Sequence, residues 1–183
     1  MKERIEGMLK STKRRGIENL LDYMDVAGFY DAPCSSKYHL AKPGGLAEHS
    51  LNVAKCAMSI VDNLFAIQGK MPSKEFIDSI IICSLLHDLG KMGQFGKQAY
   101  KTDPENGGYK TNKDLLYIAH EIRSVVIASK YIILTEEEQH AILHHNGLYS
   151  ELQEIKNNET PLYMILHFAD LWACKVIESE GKK

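Results

Sequence analysis

Apolar residues recur at helical spacing along most of the chain. Ile17, Leu20, Leu21 and Met24 form one turn-spaced stripe, with Ser11 and Thr12 ahead of it as N-cap residues. Leu51, Ala54, Met58, Val61 and Phe65 follow in alternating steps of three and four, which predicts a long helix from Leu46 to about Gly69. Between these stripes, 33–45 carries Pro33, Pro43, Gly44 and Gly45 and reads as a loop. Ser73 opens the next helix, whose run from Ile77 to Leu86 is apolar nearly all round and so belongs in the middle of a core. That helix ends at Leu89-Gly90.

The pattern breaks over 92–112, where Gly93, Gly96, Pro104, Gly107 and Gly108 fall. Tyr100-Lys101-Thr102 and Tyr109-Lys110-Thr111 flank a turn sequence there, predicting a small β-hairpin or flap near 98–112. Helical spacing resumes near Lys113 and runs to about Tyr131. Thr135-Glu136-Glu137-Glu138 is a capping box that starts another helix, and the last helix begins after Pro161. The fold class expected is all-α, a helical bundle with one hairpin. We expect 1–183 to form a single domain, because no linker composition interrupts it.

Composition is otherwise ordinary for a globular protein, with 44% hydrophobic and 25% charged residues in 183. The net charge of -2 offers no basic field for long duplex nucleic acid. The longest apolar run, Ile80 to Leu86, is far below the ~20 residues that span a bilayer. No membrane partner is expected, and the N-terminus has no signal-peptide pattern. The four cysteines (Cys34, Cys56, Cys83, Cys174) form no CxxC pair. We therefore expect neither disulfides nor a thiolate zinc site, and a reducing, cytoplasmic location. Histidine is the unusual feature: there are 8.

Several of these histidines stand beside acids at helix ends or in apolar stripes. They occur in Gly44-Gly45-Leu46-Ala47-Glu48-His49, in Leu85-Leu86-His87-Asp88-Leu89-Gly90-Lys91, in His120-Glu121 and in His144-His145-Asn146-Gly147. Asp170 lies inside the final apolar helix, where a carboxylate is costly unless it is paired or bound to a metal. His49, then His87-Asp88, then Asp170 resembles the H…HD…D signature of the HD-domain metal-dependent phosphohydrolases. The blocks around them are also similar to small bacterial and phage HD hydrolases, and to the HD part of YhaM-type 3′→5′ exoribonucleases.

That resemblance implies one or two divalent ions (Mn, Fe, Co, Ni, Zn or Mg). His49, His87, Asp88 and Asp170 would hold the first, and Asp88 would bridge to a second on His120 and His145. It chooses His145 over its neighbour and leaves His144 behind the ligands or facing substrate. Asp88 and Lys91 are the catalytic residues it implies, with Lys91 also neutralising a substrate phosphate. Arg123, Arg15 (or Arg14) and Tyr109, with Tyr38 and Tyr100, are further substrate-binding candidates. His39, His140 and His167 read as loop, exposed-helix and helix-packing residues. The implied partner is a small phosphorylated substrate, a nucleotide or short nucleotide derivative, cleaved at a phosphomonoester, phosphodiester or phosphoanhydride. The rival readings are a 3′→5′ exonuclease on short single strands and a catalytically silent metal-binding regulatory module. Oligomeric state is not readable from the sequence.

Overall fold

The computed structural model describes residues 1–147 and 157–179. Their order is α1 (Lys2–Ser11), α2 (Ile17–Val26), α3 (Gly45–Ile67), α4 (Lys74–Leu86), a 3₁₀ turn (Leu89–Met92), β1 (Tyr100–Thr102), β2 (Tyr109–Thr111), α5 (His120–Ala128), α6 (Glu136–His144), α7 (Pro161–Trp172) and a π turn (Ala173–Ile177). The architecture is all-α, with one antiparallel hairpin that pairs Tyr100 with Thr111 and Thr102 with Tyr109. Its turn is closed by Asp103, whose carboxylate accepts from Asn106 at 3.0 Å.

Three helix starts are fixed by side chains. Ser73 accepts from the Phe76 amide, Thr160 from the Tyr163 amide, and Thr135 with Glu138 completes the capping box. Helix α4 runs through the middle, with Ile82, Leu85 and Leu86 fully buried, each worth about 1.5–3 kcal/mol by transfer from water. Helix α3 is long and apolar enough to cross a membrane, but it packs one face, including Val53, Ala57 and Val61, into this same core.

Three boundaries differ from the sequence reading, the first being α4, which ends at Leu86 rather than Leu89-Gly90, with a 3₁₀ turn over Leu89–Met92. Ser11 and Thr12 end α1 rather than cap α2, which starts after Gly16. Helix α1 exists because Ile5 and Leu9, one turn apart, are both fully buried among its charged residues. The helix expected from Lys113 starts only at His120. The Asp114 amide turns back to the Asn112 side chain, and the Leu116 carbonyl accepts from Arg123, so the backbone of 113–119 is engaged in a loop.

A buried ion pair ties the N-terminal region to α4 and α6. Glu138 accepts from both Arg14 guanidinium nitrogens (2.7 and 3.0 Å), from the Ser79 hydroxyl (2.8 Å) and from the Thr135 amide (2.8 Å). Burial opposes the Glu138 charge, but these donors hold its carboxyl below the usual glutamate range.

Candidate metal centre

Four imidazoles converge on one carboxylate. His49 sits in the first turns of α3, His87 and Asp88 follow the last residue of α4, His120 opens α5 and His145 closes α6. Asp88 Oδ2 lies 3.4 Å from His49 Nε2 and 3.5 Å from His87 Nε2, while Oδ1 lies 3.2 Å from His120 Nε2 and 3.6 Å from His145 Nε2. Asp170 of α7 places Oδ1 3.1 Å from His49 Nε2 and 4.0 Å from His87 Nε2. The fold thus brings His49, His87, Asp88, His120, His145 and Asp170 around one point.

Glycine makes the approach of α5 possible. A Cβ at Gly90 would lie 2.4 Å from the His120 carbonyl oxygen and 2.9 Å from Arg123 Cβ. The bare backbone of Gly90 instead donates to the Ser124 hydroxyl at 2.8 Å, drawing the first turn of α5 against the residues that follow Asp88.

The His49, His87 and His145 rings are anchored by hydrogen bonds at the other nitrogen, and His120 has a carboxylate beside it. His87 Nδ1 meets the Ser84 carbonyl at 2.9 Å and His145 Nδ1 the Ile142 carbonyl at 2.7 Å. His49 Nδ1 meets both Glu178 oxygens at 3.1 Å, and His120 Nδ1 lies 3.3 Å from Glu121 Oε2. Acceptors at Nδ1 put the proton there in a neutral ring and leave the Nε2 lone pairs facing inward. The inward nitrogens crowd one another, with His49 and His87 Nε2 only 3.3 Å apart. Asp88 Oδ1 is buried with no hydrogen-bond donor in satisfactory geometry. Lone pairs facing lone pairs around an unsatisfied buried carboxylate oxygen are what a bound cation resolves, so this donor set fits a divalent metal.

The electrostatics point the same way. Burial opposes charge on Asp88, yet Lys91 and the surrounding histidines hold its carboxyl well below the usual range. Asp170 is likewise driven far down, by His49 against the cost of burial. Burial pushes His87 down, whereas His145 is raised because Asp88 outweighs burial. Asp88, Asp170, Glu121 and Glu178 surround these rings with Lys91 beside them, so the site attracts positive charge.

The remaining candidates divide. Lys91 Nζ lies 2.6 Å from Asp88 Oδ2, and its side chain also lines a cleft of about 600 Å³ with Tyr100 and Tyr109 of the hairpin. Arg123 is turned away from solvent: it is buried, donating to Gln94 and to the Leu116 carbonyl, which removes it as a phosphate contact. Arg14 is spent on Glu138, and Arg15 is exposed next to it. His144 points away from the Asp88 cluster, its ring packing on His140 at 4.7 Å and lining a different surface pocket. His140 is half-buried rather than exposed, and His167 packs on Tyr163 while meeting the His145 carbonyl at 2.7 Å.

A second cleft of about 730 Å³ reaches the centre from the other lining set, including Tyr38, His39, His145, Asp170 and Cys174. Three residues there escaped the sequence reading. Asn146 donates to Glu121 (2.9 Å) beside His120, and Glu178 orients His49. His39, read as an ordinary loop residue, lies 3.8 Å from Glu178. The repeat Asp170-x3-Cys174-x3-Glu178 was the available signal. In an uninterrupted α-helix residues eight apart are offset by about 80°, and the π turn takes up much of that offset.

Comparison with known proteins agrees with this geometry. A model of the HD domain matches residues 46–171, which take in all six converging residues. A dihydroneopterin 2′,3′-cyclic phosphate phosphodiesterase from Methanocaldococcus jannaschii is 36% identical over 61 residues, 33% of this chain. The matched stretch spans 23% of that relative's length. No solved structure matches the chain.

Proposed function

The chain belongs to the HD-domain family, and from that premise we propose that it is a metal-dependent phosphohydrolase acting on a nucleotide or short nucleotide derivative. One observation carries the reading: Asp88 is buried between two pairs of imidazoles, each oxygen facing one pair, with Oδ1 lacking a satisfied donor. In this proposal His49, His87, Asp88 and Asp170 would hold one divalent ion, and His120 and His145, together with Asp88, would hold a second. When bound, such ions activate water near neutral pH and neutralise phosphoryl charge.

The chain's own groups do the rest. Glu178 and the Ser84 and Ile142 carbonyls hold the ring protons of His49, His87 and His145 on Nδ1 and fix those three imidazoles in place, while Asn146 meets His120 Nε2 at 3.2 Å. Asn146 steadies Glu121. Lys91 lines the hairpin cleft, where a phosphoryl oxygen would compete with Asp88 Oδ2 for its ammonium protons. Tyr100 and Tyr109 line the same cleft and offer ring faces to a base. The net charge of -2 supports a small substrate over a long strand.

The relative's printed activity places cyclic phosphodiesters first among the substrates to try. The test is a screen of mono-, di-, tri-, cyclic and dinucleotides, with a labelled oligonucleotide, across Mn, Fe, Co, Ni, Zn and Mg. Turnover of a small nucleotide that is lost in His87→Ala and kept in His140→Ala supports the proposal. Stepwise shortening of the oligonucleotide, with no small substrate cleaved, replaces it by the exonuclease reading. Metal bound with no turnover in any arm replaces it by a regulatory module.

A further inference from the structure

Against the His49 side of the Asp88 cluster, Cys34, Cys174 and Glu178 gather around His39, and Cys174 Sγ also lies 3.4 Å from Asp170 Oδ1. His39 Nε2 lies 3.2 Å from Cys34 Sγ, 3.3 Å from Cys174 Sγ and 3.8 Å from Glu178 Oε2. One imidazole nitrogen has a single proton or a single lone pair, so it serves one of these three neighbours and not all of them. In a tetrahedral zinc site, metal–sulfur bonds of ≈ 2.3 Å and metal–nitrogen bonds of ≈ 2.0 Å separate the donor atoms by about 3.5 Å. The observed sulfur–nitrogen spacings are close to that edge, and the carboxylate oxygen lies slightly beyond it.

The sequence argued against a thiolate site because no two cysteines are near one another. The fold supplies the pairing instead. Cys34 and His39 meet because the loop closes on itself: the Cys34 amide donates to the Leu40 carbonyl, and the Ser35 hydroxyl to the His39 carbonyl. A Cβ at Gly45 would strike the Leu40 carbonyl, so that glycine seats the loop on the start of α3. Cys174 lies in the π turn and Glu178 caps it, a spacing of four that keeps both on one side.

We propose that Cys34, His39, Cys174 and Glu178 form a second, thiolate-bearing Zn²⁺ site that adjoins the Asp88 cluster and clasps the 34–40 loop to the turn after α7. Two thiolates, an imidazole and a carboxylate are a donor set that selects zinc over magnesium or manganese. Binding forms two zinc–sulfur bonds and releases the two thiol protons to solvent, with no change of oxidation state. Glu178 Oε2 lies 3.8 Å from His39 Nε2 and 3.1 Å from His49 Nδ1, while Oε1 also meets His49 Nδ1 (3.1 Å) and accepts from Asn52 (3.0 Å), so the clasp and the Asp88 cluster share this carboxylate. Because Tyr38, His39 and Leu40 line the larger cleft, the clasp fixes the wall of that cleft.

The experiment uses the full chain, stripped of metal and titrated with Co²⁺ as a spectroscopic stand-in for zinc. The site predicts an intense thiolate-to-cobalt absorption band that Zn²⁺ displaces, that is lost in Cys34→Ser and in Cys174→Ser, and that survives in Asp88→Asn. Survival in Asp88→Asn separates this site from the proposed phosphohydrolase centre, whose failure would leave the band untouched. A second readout needs no variant: Zn²⁺ should slow alkylation of Cys174 at least about tenfold relative to Cys56. Cobalt binding with no thiolate band, a band that persists in both serine variants, or Cys174 alkylated equally fast with and without zinc would overturn the proposal.

Discussion

Two buried charged clusters in this molecule have opposite characters. At Glu138, each carboxylate oxygen accepts two hydrogen bonds, from Arg14 and Ser79 on one side and from Arg14 and the Thr135 amide on the other. At Asp88, one oxygen is paired with Lys91, while the other lacks a satisfied donor and faces two imidazole nitrogens. The first cluster is closed: its charge is consumed by the fold. The second is open, with donor atoms arranged for something that is not part of the chain. Burial alone does not separate a structural ion pair from a binding site. The separating observation is whether every lone pair has been used.

Four measurements press on this contrast, beginning with the largest effect. Asp88→Asn or His87→Ala should lower hydrolysis by roughly 10³-fold or more, while thermal stability of the metal-free protein stays within about 1 kcal/mol of wild type or rises. Steady-state kinetics and melting curves on the same preparations check this. Large destabilisation by Asp88→Asn would mean that the open cluster is holding the fold together after all. Arg14→Met should do the reverse, costing about 3 kcal/mol, or about 6–12 °C in Tm, with kcat/KM within about twofold of wild type.

Next, Mn²⁺ at a hundredfold excess over its Kd should stabilise wild type by about 2.7 kcal/mol. Arg14→Met should keep that gain and Asp88→Asn should lose it, as read from denaturant midpoints with and without a chelator. The smallest effect is in acid. Because the Glu138 carboxyl is held below its ordinary value of 4.5, its stabilising contribution is complete above that pH and is lost as pH falls through the lower folded value. Urea midpoints of the wild type should therefore decline more steeply below pH 4.5 than those of Glu138→Gln. Parallel declines would show that Glu138 gains nothing from its four donors.

How much of this could be read from the sequence depended on the range of each contact. The hairpin and the capping box at Thr135 depend on residues within a dozen positions, and both are where the pattern puts them. Asp170 stood out because it interrupts an apolar helical run, where an uncompensated carboxylate is expensive, whereas His49 and His87-Asp88 stood out through their resemblance to the HD signature. Helix α1 was hidden, since Ile5 and Leu9 are its two buried positions among charges. The opposite error arose at Leu115, Leu116 and Ile118, whose spacing imitates a helix although Leu116 and Ile118 lie exposed in a loop. The His39 cluster was invisible for a different reason: Cys174 lies 135 positions from its histidine, and no local pattern encodes that meeting.

The close approach at Gly90 has a consequence for how such a centre changes over generations. The distance from Asp88 to His120 is set by a backbone contact at a position that supplies no side chain to the cluster, where Gly90 packs against the His120 carbonyl. Adding one methyl group there would wedge α5 outward and take His120 from the cluster, leaving His49, His87 and Asp170 undisturbed on other helices. Position 90 thereby acts as a ruler for the His120 side of the cluster, and its single missing carbon is a hereditary setting for how many imidazoles Asp88 faces.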